Sequence, residues 1–230
     1  MSYNIHHGTD AQENDRLDSI ALFIKASGAD LIGLQEVDSV CRRSGNIDQM
    51  QRLASLTGMH YAFVRHRAYD GGAYGQGVLS RYPISDIRND RLSIRKADGT
   101  TTSTALLSAK IQLPNNQQLV FANAHFALEP ESRLIQAEEV IAHLQPGQCP
   151  VILTGDLNAE PETAEIKRLK RYFTDVSLPG QLTFPADTPV KTIDYILVSN
   201  MFPYQTAVST VFPAIHHSDH LPIMGTITLK

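Results

Sequence analysis

Two stretches of this chain share one build: an apolar strand, an amphipathic helix and a second apolar strand ending in oxygen-bearing side chains. In the first, Leu17, Ile20, Ala21 and Ile24 fall at i, i+3, i+4 and i+7, and Gly28 closes the helix. A short buried strand over 30–35 then delivers Gln35 and Glu36. In the second, Leu134, Ala137, Ile141 and Leu144 mark a helix stopped by Pro146-Gly147, and the strand 151–154 delivers Gly155-Asp156-Leu157-Asn158. Each copy sets a carboxylate just past the carboxyl end of a buried strand, where α/β sheets present their chemistry.

The rest of the chain continues the alternation. A helix around Met50, Leu53 and Ala54 closes at Gly58, and strand-like runs follow at 61–64, 77–80, 105–113, 119–125, 192–198 and 223–229. Loops containing Pro and Gly are spread evenly over the 230 residues, so one domain covering 1–230 is expected. Such a length buries a core without cross-links, and Cys41 and Cys149 are expected to be structural thiols. The net charge of −4, with no Lys/Arg block, disfavours a groove for long nucleic acids. No apolar run is long enough to cross a bilayer. A cytoplasmic monomer is expected as the sequence stands, or a secreted or periplasmic one if a leader was removed.

The most specific local signal is Thr154-Gly155-Asp156-Leu157-Asn158-Ala159-Glu160-Pro161. It sets a carboxylate and a carboxamide two residues apart after an apolar strand, with Pro161 placed to open the next helix. An Asp/Asn turn is the plainer reading. In Ile193-Asp194-Tyr195, an aspartate lies among apolar strand residues, where burial is costly without a partner. In Ser218-Asp219-His220-Leu221-Pro222, a carboxylate beside an imidazole favours the protonated ring, which can donate to a developing phosphate charge. Glu36, Asn4 and His125 complete a strand-end set of oxygen ligands and imidazoles, suited to Mg²⁺ or Mn²⁺.

In this order, these motifs resemble the endonuclease/exonuclease/phosphatase family, related to deoxyribonuclease I, from Ser2 to about Ile227. Gly75-Gln76-Gly77-Val78-Leu79-Ser80 is similar to the family's strand after its Gly-rich loop. The resemblance implies a four-layer α/β/β/α sandwich of two mixed sheets, with the site at one sheet edge. It also implies in-line attack on phosphorus assisted by a divalent cation. By that likeness Glu36 is the principal metal ligand, with Asn4 and Asp219 at the same ion or orienting its waters. Asp156 activates the attacking water, Asn158 holds a phosphate oxygen, and His220, paired with Asp194, donates to a non-bridging oxygen with help from His125. The chain departs from the family where Thr102-Ser103-Thr104 replaces the common Glu-x-Arg and where Gln76 replaces a commoner Asn. Both changes bear on specificity.

Arg43 and Tyr74 are the expected substrate contacts, with 69–72 as a mobile substrate loop and 178–189 as a loop beside the site. Arg133 and Gln136 read as structural. A zinc cluster of His6, His7, His216 and His217 with His220 is the lesser metal reading, since oxygen donors dominate. The expected activity is hydrolysis of a phosphodiester or phosphomonoester in a small molecule, nucleotide or lipid headgroup. A DNA or RNA nuclease is the alternative, and a non-catalytic binding module of the same fold ranks last.

Overall fold

The computed structural model describes residues 1–177, 180–201 and 204–229. Among the described residues, twelve strands form two six-stranded sheets. The first holds β1 (Ser2–Asn4), β2 (Leu31–Ser39), β3 (His60–Tyr69), β4 (Gly72–Ser80), β11 (Tyr204–Val211) and β12 (Ile223–Leu229), in the order β11-β12-β1-β2-β4-β3. The second holds β5 (Ile84–Arg95), β6 (Thr101–Gln112), β7 (Gln118–His125), β8 (Val151–Asp156), β9 (Phe173–Asp175) and β10 (Asp194–Ser199), in the order β5-β6-β7-β8-β10-β9. Among the described residues, four α-helices cover them: α1 (Leu17–Ser27), α2 (Gln49–Thr57), α3 (Pro130–Leu144) and α4 (Ala164–Leu169).

The layers follow from strand alternation. Ile32, Leu34 and Tyr3 pack outward with Ile20, Ile24, Met50 and Leu53 of α1 and α2. Leu106, Leu153 and Leu197 pack outward with Val140 of α3 and Ile166 of α4. Their strand neighbours Leu107, Ile152 and Ile196 turn the other way and meet Val64, Val78 and Ile223 between the sheets. A strand buried on both faces reads as a continuous apolar run, which is why the central strands stand out in the sequence. The two repeated units are β1-α1-β2 and β7-α3-β8, each a parallel pair joined through a helix. The expected four layers of two mixed sheets between helices are present.

Some local expectations need correction. Glu36 is not beyond its strand but inside β2, at a bulge between Leu34 and Val37. Pro161 lies in a turn, and the next helix begins at Ala164, because Thr163 supplies the extended residue before it. The segment 69–72 is the end of β3, a two-residue Asp70-Gly71 turn and the start of β4, so it is a tight hairpin. β5, β9 and β11 were not expected. β5 is an outer strand whose charged run Arg88–Arg91 masks its alternation, a common way to protect a sheet edge. Cys41 and Cys149 are free thiols, as expected. No helix among the described residues is long and apolar enough to cross a membrane.

A buried polar seam fixes the two sheets in register. Asn123 on β7 donates to the carbonyls of Leu34 (2.7 Å) and Gly77 (3.0 Å), and its oxygen accepts from Gln35 at 2.5 Å. The sheets come this close because residue 33 is glycine: a Cβ there would lie 2.0 Å from Thr154 Oγ1. Asn123→Ala removes its bonds to two carbonyls and to the Gln35 amide from a buried interface, so a loss of roughly 2–4 kcal/mol is expected in denaturant unfolding.

The loop leading into α1 is tied by Asp10. Its carboxylate accepts from the Asn14 and Gln12 backbone N–H groups and from Arg16 Nε at 2.8 Å. Burial pushes the Asp10 pKa up, but these hydrogen bonds outweigh it and bring it down to about 2. A depressed carboxyl pKa stabilises the fold above the unfolded value near 3.8 and loses that contribution as pH falls through about 2. Asp10→Asn should therefore cost roughly 2 kcal/mol at neutral pH and almost nothing near pH 2, read from urea unfolding at both values.

Candidate active site

Strand register alone brings most of the expected residues together. His125, Asp156 and Asp194 are direct cross-strand neighbours at the ends of β7, β8 and β10. From the other sheet, Asn4 ends β1 beside Gln35 on β2. All five of these strands are interior to their sheets, so the cluster sits at one end of the sandwich, not along an outer strand.

Asn4 bridges the two sheets. Its amide nitrogen donates to Glu36 Oε1 at 3.0 Å and to Asp156 Oδ2 at 3.1 Å. Its oxygen accepts the His6 backbone N–H at 3.0 Å, which fixes the amide orientation because that N–H can only donate. Ser218 holds the same strand end through a 2.7 Å bond to the Asn4 carbonyl.

Glu36 reaches this position because the bulge gives it a left-handed backbone, with φ at 60°. Bulges re-aim side chains in this way, and such strain concentrates at working sites. Asn158 (φ 48°), His6 (42°) and His7 (45°) share that region of the backbone map nearby. Burial pushes the Glu36 pKa up, but His125, Asn4 and His220 outweigh it and the net shift is downward. Burial, together with the nearby Glu36 carboxylate, raises the Tyr74 phenol pKa.

Asp156 is the meeting point. Its Oδ2 lies 3.5 Å from His125 Nε2 and 3.6 Å from His220 Nε2, and its Oδ1 accepts the Asn158 backbone N–H at 2.9 Å. His220 Nδ1 lies 3.0 Å from Asp194 Oδ2. Burial alone would lower the His220 pKa, yet Asp194 and Asp156 raise it to about 10. Both ring nitrogens face carboxylates, which favours the protonated ring. Phe184 packs on this imidazole with ring centroids 4.6 Å apart, so the 178–189 loop does lie beside the cluster; its residues 178 and 179 are outside the described ones.

Other expected residues are placed less directly. Asp219 is partly buried, accepts from Ser218 Oγ at 3.3 Å and makes no hydrogen bond to Glu36 or Asp156 among the described residues. Asn158 spends one amide hydrogen on the Phe126 carbonyl at 3.0 Å. Arg43 is bound bidentately by Asp38, at 2.7 and 2.9 Å. Arg133 pairs with Glu165 at 2.6 Å and Gln136 accepts from the Ala127 N–H, both structural as expected. The five histidines do not form one zinc cluster: His216 pairs with Asp187, while His6 and His7 gather round Glu13.

Sequence reasoning missed His66. It lies within 5.7 Å of Tyr74 between ring centroids, and its Nδ1 is 3.4 Å from Thr104 Oγ1, which also donates to the His125 carbonyl. Burial, then Arg67 and His125, bring its pKa down to about 4, so it is neutral at pH 7. The Thr102-Ser103-Thr104 departure thus lies against the site. Gln76, the other departure, stands opposite the Glu36 bulge, and neither of its buried amide atoms has a partner among the described residues.

The donor set suits a hard divalent cation. Two carboxylates share one amide nitrogen, and among the described residues no lysine or arginine pairs with either. Packed carboxylates are costly without compensating charge, and their oxygens match Mg²⁺ or Mn²⁺. Asp156, Asp194 and His220 also place ligand atoms within 4.8 Å of one another. His220 Nδ1 is engaged by Asp194 while its Nε2 lies 3.6 Å from Asp156 Oδ2, so that trio can hold a proton.

The family model described as Endonuclease/Exonuclease/phosphatase family matches residues 1–220. The chain belongs to this family. Its members are generally hydrolases, and this chain has their hydrolase fold. It is 25% identical over 248 residues to the uncharacterized protein YbhP of Escherichia coli K12, covering 100% of this chain and 95% of that one. Among solved structures, a family member from Bacteroides vulgatus has a TM-score of 0.79 at 20% identity, covering 100% of this chain and 97% of that one. A mannosyl-6-phosphatase of Bacteroides thetaiotaomicron has a TM-score of 0.75 at 18% identity, covering 99% of this chain and 98% of that one. At these identities the structural likeness speaks for the fold.

Proposed function

We propose that the protein is a divalent-cation-dependent phosphoesterase acting on a small phosphate ester, as a monomer whose 230 residues form one domain. The observation that carries this reading is Asp156, which touches the Asn4–Glu36 pair, His125 and the His220–Asp194 pair at once. The similarity to a mannosyl-6-phosphatase supports a phosphate monoester on a small molecule, and the net charge of −4 fits that better than a polyanion.

Glu36 holds the cation, Mg²⁺ or Mn²⁺, with Asp219 as a further oxygen donor. Asn4 orients Glu36 and Asp156 through its nitrogen, since its oxygen is engaged by His6. When bound, the cation neutralises charge on the phosphate and leaving oxygen. Asp156 accepts a proton from the attacking water, fixed in aim by the Asn158 N–H. Doubly protonated His220 donates from Nε2 toward a non-bridging phosphate oxygen, while Asp194 holds its other side. His125 donates from the β7 side, and Asn158 has one amide hydrogen left for a phosphate oxygen. Tyr74, beside Glu36, contacts the substrate, and Arg43, its charge already met by Asp38, contributes through its stacking on tyrosine rings.

A panel of chromogenic phosphomonoesters and diesters with Mg²⁺ or Mn²⁺ tests this. Turnover abolished by chelator is expected. Absence of turnover on every ester, or cleavage of DNA in its place with a steep salt dependence, would overturn it.

A further inference from the structure

The corner next to Glu36 contains three arginines, and only one of them has charge to spare. Arg42 is paired with Asp70 at 3.0 Å. Arg43 is held by both oxygens of Asp38 and stacks on Tyr69. Arg67 is exposed and has no carboxylate or carbonyl partner among the described residues. Its guanidinium carbon lies 5.1 Å from the Tyr69 ring centroid and 5.4 Å from that of Tyr74.

This placement is built by the backbone. β3 has a bulge between Arg65 and Arg67, on the opposite flank of β4 from the bulge that turns Glu36. After it, Arg67 stands directly across from Tyr74. The bulge is pinned by Arg91, which donates to the carbonyls of Arg65 at 3.0 Å and His66 at 2.9 Å. A guanidinium resting on aromatic rings keeps its N–H edge available, in a geometry suited to carboxylate or phosphate oxygens. Tyr74 stands across from Asp38, just past the Glu36 bulge, and its phenol feels the Glu36 carboxylate, so this edge lies one tyrosine ring from the proposed cation ligand.

We propose that Arg67, seated on Tyr69 and Tyr74, is a second anion-binding subsite that selects small phosphoesters carrying a further phosphate or carboxylate. The inference rests on the phosphoesterase reading for which ester is cleaved, but not for the binding itself. One unpaired arginine matches one additional anion, whereas a nucleic-acid strand needs a track of them. Stacking of a nucleobase is disfavoured because the guanidinium groups already occupy the tyrosine rings.

The test compares the phosphonate analogues of butanediol bisphosphate and butyl phosphate by calorimetry with Mn²⁺, so that the cation is present and no turnover intervenes. The intact protein should bind the bisphosphonate about tenfold to a hundredfold more tightly. Arg67→Gln should abolish that preference, Arg67→Lys should keep part of it, and Arg52→Gln, on α2 and paired with Asp18, should keep all of it. An intact preference in Arg67→Gln, or none in the unaltered protein, overturns the subsite. Parallel assays on p-nitrophenyl phosphate with Mn²⁺ separate the two readings. Turnover without the binding preference removes the subsite alone. The preference without turnover supports the subsite and counts against hydrolysis.

Discussion

Asp156→Asn is expected to lower kcat by about a hundredfold to ten-thousandfold, with KM changed only a few-fold. Among the described residues, the carboxylate is the one group in contact with both imidazoles and with the amide that carries Glu36. Asparagine keeps the size but removes the proton acceptor, and it sets an amide against the Asn4 amide nitrogen. Binding of the ester through the cation and His220 should persist, which is why the loss belongs in kcat. Steady-state kinetics on a chromogenic ester, with a melting curve to show that the fold survives, measure this. Undiminished turnover would remove Asp156 from its assigned role.

The second large effect is expected at His220. His220→Gln should cost roughly a hundredfold to a thousandfold in kcat, the usual scale for losing one donor to a developing oxyanion. Asp194→Asn should cost less and change the pH profile. With its pKa raised to about 10 by Asp194 and Asp156, His220 stays protonated through the neutral range, and activity that depends on its proton falls only as pH rises through that value. Without the Asp194 charge the imidazole loses its proton earlier, so the alkaline limb should move to lower pH. An alkaline limb in the same place in both proteins would show that the pair does not govern the reaction.

What could be read from the sequence was whatever is local. Asp156 and Asn158 follow an apolar strand within a few residues, and Asp194 interrupts another, so burial and partnership could be inferred without a fold. The repeated strand-helix-strand unit was legible because parallel strands under helices read as long apolar runs. Features set by register between distant strands were not. The bulge that turns Glu36 depends on how β2 meets β4, and the one that exposes Arg67 depends on how β3 meets β4. His66 carried no signal, since a histidine in an alternating strand is unremarkable until its neighbours are known. The outer strand β5 was hidden by Arg88, Asn89, Asp90 and Arg91, residues that guard an edge rather than fill a core. Arg43 looked available for substrate because Asp38, its partner, is only five residues away but across an irregular turn.

The most direct test of the central claim is turnover of a chromogenic phosphate ester as a function of Mn²⁺, in the unaltered protein and in Glu36→Gln. Activity should be absent in chelator and return with Mn²⁺, and Glu36→Gln should need a Mn²⁺ concentration higher by about tenfold to a hundredfold or more. Full activity in chelator, or an unchanged Mn²⁺ requirement in Glu36→Gln, would contradict a cation held by Glu36 beside Asp156.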